Sequence, residues 1–249
     1  MALVTVTSTE PVRGGPEEAA LTLAELTWPD ADSRGPGAVL AVPIGATEQH
    51  GPHLPLSTDT EIAVALVTAL ARERAVVVGA PPLAYGSSGE HAGFAGTLSI
   101  GQSALELVLI ELCRSAGATF ERVLLVSAHG GNAQTVRRAV SRLRGESRDV
   151  RAWEPRWRGD AHAGRTETSI MLALAPELVR RREARAGPRT PIAELLGRLE
   201  TEGVRAVSEN GVLGDPAGAC AEEGLDLLRA ATRDLVVTVD AWLATGVRA

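Results

Sequence analysis

The sequence predicts an α/β fold in which a mainly parallel sheet is covered by helices on both faces. Short apolar segments rich in β-branched residues alternate with longer segments of helical periodicity, and glycine or proline often separates them. Such alternation is typical of βαβ units, whose helices cover both faces of a parallel sheet. The chain has 249 residues and shows no internal repeat or linker, so we expect residues 1–249 to form one domain.

The first predicted strand and helix flank a segment rich in polar residues. Residues 37–44 are a short, apolar, β-branched run, which predicts a buried strand. Residues 58–74 repeat apolar side chains at four-residue spacing on one face, which predicts a helix. Thr58 and Glu61 form a capping-box pattern, so we expect them to begin this helix.

The remaining predicted elements continue the alternation of strands and helices. Gly117 is expected to stop the second helix, and the arginine-rich stretch 181–191 is expected to be an exposed connection. The apolar run SIMLALA, at 169–175, is expected to be helical. The other predictions, in chain order, are a strand at 75–80, a helix at 101–118, a strand at 122–128, a helix at 133–145, a strand at 149–153 and a closing helix at 222–243.

Composition and charge narrow the functional class. The formal net charge is −6, which argues against nucleic-acid binding, because that function needs a basic face. No apolar run approaches the roughly 20 residues of a membrane span, and the N-terminal residues show no secretory signal. Cys113 and Cys220 form no CxxC pattern, which favours reduced thiols. We therefore expect a cytoplasmic protein that binds neither nucleic acid nor membrane.

The histidines of the chain all fall in glycine-rich or proline-rich segments that follow predicted strands. In an open α/β sheet, ligands bind beyond the carboxyl ends of the strands, where loops carry function on a rigid scaffold. A shared functional site is therefore favoured over separate structural roles for these side chains. They are His50, His53, His91, His129 and His162.

The loop after the first strand carries a pattern suited to a divalent metal. Glu48 and His50 are two residues apart, so an extended backbone places them on the same side, and a carboxylate with an imidazole suits such a cation. Asp59 lies where the next helix begins; it is either a helix cap or a carboxylate that bridges two metals. His53 is either a third ligand or a residue that packs the loop.

Two later segments add further candidate residues. His129 ends a strand and precedes two glycines, which let the backbone approach a ligand, so we expect a metal ligand there. Asn132 is expected to cap the following helix. Glu167 either complements a helix dipole or binds metal, and His162 is the expected proton shuttle because imidazole titrates near neutral pH.

Two sequence motifs of other hydrolase classes are absent from the chain. The chain has no GxSxG segment, which argues against a serine hydrolase of the α/β-hydrolase type. It also has no HExxH segment, which argues against a one-zinc protease of that type.

With these residues in place, the chain resembles the creatininase family. The matching segments run in the order of the family and span about residues 40–220, and together they are far more specific than any one alone. The resemblance implies a three-layer α/β/α fold, two divalent ions per chain (zinc, iron or manganese) and a homo-oligomer, a hexamer or octamer. The segments are PIGATEQHGPHLPLSTD, YGSSGEHAGFAGT (85–97), SAHGGN, DAHAGRTETS and NGVLGDPAGA (210–219).

The resemblance also assigns roles to individual residues. The metal positions of the family fall on Glu48, His50, Asp59 and His129, with Asp59 as the bridging carboxylate, and its catalytic histidine falls on His162. Creatininase itself has a glutamate where this chain has Gly131, which removes one ligand. Glu167 is expected to substitute for it, although His162 is the alternative. Candidate substrate contacts are Glu90, His91 and Trp153; Trp153 and Trp157 are either core or lid residues.

The resemblance therefore leads us to expect a metal-dependent hydrolase of amide or peptide bonds. By overall likeness, the sequence is most similar to the mycofactocin-system branch of the family, whose members trim a modified precursor peptide and release a C-terminal fragment derived from Val-Tyr. The alternatives are a hydrolase of creatinine, another cyclic amide or a formamide, and a metal-binding module without catalysis. The change at Gly131 counts against creatinine.

Overall fold

A parallel sheet organises residues 20–245, which the computed structural model describes. Its strands are β1 (Val39–Ile44), β2 (Val77–Gly79), β3 (Arg122–Ser127) and β4 (Asp149–Trp153). They lie in the order β2-β1-β3-β4, and each neighbouring pair is parallel. The predicted α/β fold with a parallel sheet is confirmed.

Strand β2 is shorter than the sequence pattern predicted. The expected span was 75–80, but only Val77–Gly79 pair with β1, from Val39 to Ala41. Pro81 and Pro82 follow after Ala80, and proline has no N–H to donate to a sheet. The chain nevertheless stays beside β1, because the N–H of Leu83 donates to the carbonyl of Pro43 at 2.9 Å.

The described helices include several that the sequence pattern did not predict. Among residues 20–245, no helix combines the length and apolar character needed to cross a membrane. The first helix buries none of its residues, and the sixth buries only Leu195 and Leu199, so neither has a long apolar stripe to detect. The helices are α1 (Trp28–Arg34), α2 (Thr58–Glu73), α3 (Gly101–Ala116), α4 (Ala133–Gly145), α5 (Arg165–Leu174), α6 (Ile192–Glu202), α7 (Val204–Val207) and α8 (Ala221–Ala244). Those without a sequence prediction are α1, α6 and α7.

The sheet separates two apolar cores, which gives the three-layer arrangement that the resemblance implied. Val39 and Ala41 of β1 face a core formed with α2, α5 and α8. Leu40 and Val42 face the opposite core, formed with α3 and α4. Alternate residues of a strand point to opposite faces, so a strand that is apolar at every position is covered on both sides.

The start of α2 differs from the predicted capping box. Ser57, not Thr58, occupies the capping position, and its side chain makes no capping hydrogen bond. The hydroxyl of Thr58 instead donates to the carbonyl of Pro55 at 2.7 Å, so it is not available to the helix. The capping-box prediction was therefore wrong, whereas Gly117 does end α3 as expected.

The carboxyl ends of the strands bring distant parts of the chain together. Because β1 and β3 are parallel and in register up to Ile44 and Ser127, the loops that follow them begin side by side. The N–H of Ala128 donates to the carbonyl of Ile44 at 3.0 Å across this edge. The loops after all four strands therefore open at one edge of the sheet.

Candidate active site

A buried cluster of carboxylates and imidazoles lies at this edge of the sheet. Glu48 and His50 come from the loop after β1 and are fully buried, and Asp59 lies in the first turn of α2 at 2% exposure. His129 follows β3, and Glu167 lies in the first turn of α5. The structure thus brings together the residues that the sequence analysis named as metal ligands, from four segments of the chain.

Asp59 lies at the centre of the cluster. Its Oδ1 is 3.3 Å from Nε2 of His50, and its Oδ2 is 3.4 Å from Nδ1 of His129. The side chain is thus directed at the two histidines and does not cap α2. A helix N-terminus favours a negative charge, so its position in the first turn stabilises the ionised carboxylate.

The carboxylate of Glu48 has histidines on both sides but makes no hydrogen bond among the described residues. Its Oε2 lies 3.2 Å from Nε2 of His129, and its Oε1 lies 3.2 Å from Nε2 of His91, but neither contact has hydrogen-bond geometry. Buried polar atoms without partners are costly, and a cation among them offsets that cost. Within the cluster, such atoms are Glu48 Oε1 and Oε2, His50 Nε2 and Asp59 Oδ2.

The cluster divides into overlapping groups that could each hold a metal ion. In each group, three side chains offer ligand atoms that lie within 4.8 Å of one another. Two of the groups share Asp59, as a bridging carboxylate would require. The third group contains His162, so the alternative role of His162 as a metal ligand is compatible with the structure. Among the described residues, the groups are Glu48–Asp59–His129, His50–Asp59–Glu167 and Glu48–His50–His162.

Glu167 approaches the cluster from an unusual turn. Its Oε2 lies 3.9 Å from Nε2 of His50 and accepts a hydrogen bond from the N–H of Ala163 at 2.5 Å. Ala163 has a φ of 52°, a left-handed conformation that is uncommon for a residue with a side chain. Strained backbone of this kind is concentrated at functional sites, where it holds side chains in place.

Gly131 leaves room for the carboxylate of Glu90. Oε1 of Glu90 lies 3.4 Å from Nε2 of His129. A Cβ atom at Gly131 would lie only 2.3 Å from that oxygen and 2.4 Å from the His129 nitrogen. The glycine at position 131 thus permits the carboxylate of Glu90 to contact His129.

The other histidines differ in their surroundings. His91 and His162 are buried beside the cluster, and both contact Gln49 through a ring nitrogen, at 2.9 Å and 3.0 Å from its Nε2. His53 contacts Thr168 of α5 at 2.9 Å and belongs to none of the metal-capable groups among the described residues. The structure therefore supports the loop-packing alternative for His53. The sequence analysis missed Gln49, whose only signal was its place between two predicted ligands.

Two further residues have roles that differ from the sequence-based expectations. Asn132 occupies the capping position of α4, but its side chain makes no capping bond; its amide donates to the carbonyl of Gly45 and accepts from the N–H of Ser87. Trp153 lies in the core at 8% exposure, where its indole donates to Asp234 of α8 at 2.8 Å. The polar edge of Trp153 thus faces α8, which supports the core alternative over substrate binding. Trp157 packs against the same core.

The protonation of the cluster follows from burial and from its neighbours. Burial raises the pKa of Glu48 above its ordinary value. Burial opposes ionisation of Asp59, but His50 and His129 outweigh it and hold the pKa of Asp59 well below its usual range. Burial likewise opposes the charge on His50, but Asp59 raises the pKa of His50 to about 10. Burial and nearby His50 lower the pKa of His162 to about 4, so its imidazole is neutral at pH 7.

The sequence is similar to a known family of metal-dependent enzymes and to individual proteins within it. The sequence profile of the family described as "Creatininase: Creatinine amidohydrolase" matches residues 24–239. The chain is 46% identical to the "Mycofactocin precursor peptide peptidase" of Mycobacterium ulcerans (strain Agy99) over 226 residues, which cover 87% of this chain and 86% of the relative. It is 30% identical to the "Creatinine amidohydrolase" of Pseudomonas putida over 63% of this chain and 73% of that protein.

A comparison with solved structures supports the fold. A crystal structure of creatinine amidohydrolase (creatininase) superposes with a TM-score of 0.80 and 24% identity, covering 91% of this chain and 98% of that structure. The profile match spans most of the chain, and the mycobacterial relative is similar along nearly its whole length. The chain belongs to the creatininase family and is a hydrolase of that family.

Proposed function

We propose that this protein is a metal-dependent peptidase that trims a short, modified precursor peptide and releases a C-terminal fragment derived from Val-Tyr. The observation that carries the chemistry is the sharing of Asp59 by two groups of buried ligand atoms. The substrate class is supported by the greater similarity to the precursor peptide peptidase, at 46% identity, than to the creatinine amidohydrolase, at 30%.

The donor set fits two divalent cations. Glu48, Asp59 and His129 would hold one ion, and His50, Asp59 and Glu167 would hold the other. Mixed carboxylate and imidazole donors suit zinc, iron or manganese. When bound, the two ions supply a positive charge that polarises the scissile carbonyl and lowers the pKa of a nearby water molecule.

The protein side chains supply positioning and proton transfer. Asp59 keeps the two ligand groups together, and the N-terminus of α2 supports its negative charge. His162 is neutral at pH 7 and lies beside Glu48 and His50, so it can take up the proton released when water attacks the amide carbon. It then donates that proton to the leaving nitrogen, which the broken peptide bond requires.

The residue pattern favours a peptide over creatinine as the substrate. The glutamate of creatininase is absent at Gly131, and Glu90 lies in the space that a side chain there would take. Glu90 is also partly exposed, so it borders the cluster on its open side and is a candidate contact for the peptide. We further propose a cytoplasmic homo-oligomer of this chain, as the resemblance to the family implies.

Product analysis tests the proposal. The purified, metal-loaded protein is incubated with the modified precursor peptide, with an unmodified peptide ending in Val-Tyr, and with creatinine, and the products are followed by mass spectrometry. We expect a C-terminal fragment from the precursor, no creatine from creatinine, and loss of cleavage after chelation. Turnover of creatinine alone would replace the peptidase proposal by the cyclic-amide alternative. Metal uptake without any turnover would favour a binding module.

A further inference from the structure

Gln49 connects two histidines of the site to two stretches of backbone. It is buried at 5% exposure, between the candidate ligands Glu48 and His50 in sequence. Its Nε2 lies 2.9 Å from Nδ1 of His91 and 3.0 Å from Nε2 of His162, and it donates to the carbonyl of Gly211 at 3.1 Å. One amide group therefore has three possible acceptors for its two hydrogens.

The orientation of the Gln49 amide is fixed by the backbone. The N–H of Gly51 donates to Oε1 of Gln49 at 2.9 Å, and a backbone N–H can only donate, so the amide nitrogen must face the histidines. Gly211 has a φ of 81°, and a Cβ atom there would lie 1.9 Å from Oε1 of Gln49. The backbone of this loop can thus approach Gln49 only because residue 211 is glycine.

The hydrogen bonds around Gln49 then determine the tautomers of both rings. Nε2 of His162 lies 2.8 Å from the main-chain carbonyl of Gln49, which can only accept, so this nitrogen carries the proton of the neutral ring. It is then not an acceptor for the Gln49 amide. The two amide hydrogens go to the carbonyl of Gly211 and to Nδ1 of His91. His91 therefore carries its proton on Nε2, the nitrogen that lies 3.2 Å from Glu48.

The opposite assignment leaves buried groups without partners. If Nε2 of His162 accepted from the Gln49 amide, the main-chain carbonyl of Gln49 would lose its donor. Either Gly211 or His91 would also be left without an amide hydrogen. Each buried group without a partner carries a desolvation penalty, so the first assignment is favoured.

We infer that Gln49 is a positioning residue: its side-chain amide sets the tautomer of His91, its main-chain carbonyl sets that of His162, and His162 works through Nδ1. In the neutral ring this nitrogen carries no hydrogen, and it lies 3.9 Å from Oε1 of Glu48. The part of the inference that concerns catalysis rests on the proposed function. The tautomers themselves are independent of the substrate.

The tautomers can be measured without turnover. Protein labelled with ¹⁵N in its histidines is studied at pH 7 by long-range ¹H–¹⁵N correlation, both free of metal and loaded with Zn²⁺, and signals are assigned with His91→Asn and His162→Asn variants. We expect both rings to carry hydrogen on Nε2 in the wild-type protein. A His162 ring protonated on Nδ1 in both states would overturn the inference, whichever substrate the enzyme uses.

A variant separates positioning from general stability. Gln49→Met keeps a side chain of similar length but removes both amide hydrogens, and we expect a mixture of tautomers for His91 with metal still bound. His162 should keep its hydrogen on Nε2, because the main-chain carbonyl of residue 49 remains. Turnover of the precursor peptide should still fall by roughly 10- to 100-fold, with a much smaller change in KM, because the amide no longer holds the His91 ring beside Glu48. Thr47→Val is the matched control, because it removes a hydrogen bond of the same loop, from Thr47 to the carbonyl of Ala84 at 2.9 Å, without contacting a histidine.

The outcomes of these experiments test the role of Gln49 independently of the proposed function. Unchanged tautomers and turnover in Gln49→Met would make Gln49 a structural residue. Equal losses of turnover in Gln49→Met and Thr47→Val would lead to the same conclusion. If the wild-type protein cleaves no peptide, the proposed function fails, and the tautomers measured by NMR still decide the role of Gln49.

Discussion

A substitution of His162 distinguishes a role in metal binding from a role in proton transfer. It lies beside Glu48 and His50, yet the two groups that share Asp59 are complete without it. His162→Ala should therefore keep its metals while turnover falls by roughly 10²- to 10⁴-fold, the usual contribution of a positioned acid–base group. The rate constant should fall far more than KM rises, because the lost interaction belongs to the transition state.

Metal analysis and steady-state kinetics on the same His162→Ala preparation check this prediction. Loss of one metal would show that His162 is a ligand and would count against Glu167 as the ligand in its place. Unchanged turnover would remove His162 from the mechanism.

Gly131 and Gly130 offer a matched pair of substitutions. A Cβ atom at Gly131 would lie 2.4 Å from Nε2 of His129, whereas nothing lies within 4 Å of the corresponding position at Gly130. Gly131→Ala should displace His129 and weaken metal binding. Gly130→Ala should leave the affinity for metal unchanged. Calorimetric titration with Zn²⁺ measures the difference. Equal affinities in the two variants would show that His129 does not depend on the space at Gly131.

The binding of metal should depend on pH because of His50. Asp59 raises the pKa of His50 to about 10, so in the metal-free protein this ring is protonated at all lower pH values, and a metal must displace that proton. The apparent affinity should therefore rise with pH, by about tenfold per unit for each proton released. Zn²⁺ titrations between pH 6 and pH 8 test this, and an affinity that does not change with pH would contradict it.

At the scale of the secondary-structure elements, Asn132 holds the edge of the sheet together. Its fully buried amide connects Gly45, after β1, to Ser87, in the loop after β2, by hydrogen bonds of 3.0 and 2.9 Å. Asn132→Ala should lower the free energy of unfolding by about 2–3 kcal/mol, because two backbone groups lose their partners. Urea denaturation measures the change. Gln134→Ala, at an exposed position of the same helix, is the control that should cost little. Equal stability of the two variants would contradict this role for Asn132.

The elements that the sequence predicted are those with a buried apolar pattern. The bounds of β1, β3 and α8 were predicted to within about two residues. The two strands are continuous apolar runs that are buried throughout, and α8 repeats its buried side chains on one face. Helix α1 buries nothing and therefore left no pattern. The failure of Thr58 to cap α2 could not be predicted, since it depends on the carbonyl of Pro55, which accepts a hydrogen bond from the Thr58 hydroxyl.

At the scale of the whole molecule, the site is a product of topology. Glu48 and Glu167 are far apart in sequence and meet because the parallel sheet places the loops after its strands at one edge. Residue types and spacing predicted part of the cluster, and the family resemblance supplied Asp59 and Glu167 as ligands. They could not predict that Glu90 would lie in the space left by Gly131, or that Gln49 would contact two histidines, because both depend on how separate loops pack. That residues 1–249 form one domain, and that the chain assembles with copies of itself, remain predictions.

The central claim is that one carboxylate, Asp59, joins two metal sites. The most direct test is the metal content of loaded, desalted protein, measured by inductively coupled plasma mass spectrometry for the wild-type chain and two variants. We predict about two ions per chain in the wild type, about one in Glu167→Gln and almost none in Asp59→Asn. Asparagine keeps the shape of Asp59, and the aspartate does not cap α2, so the Asp59→Asn fold should be retained. An Asp59→Asn protein that still holds both ions would contradict the account.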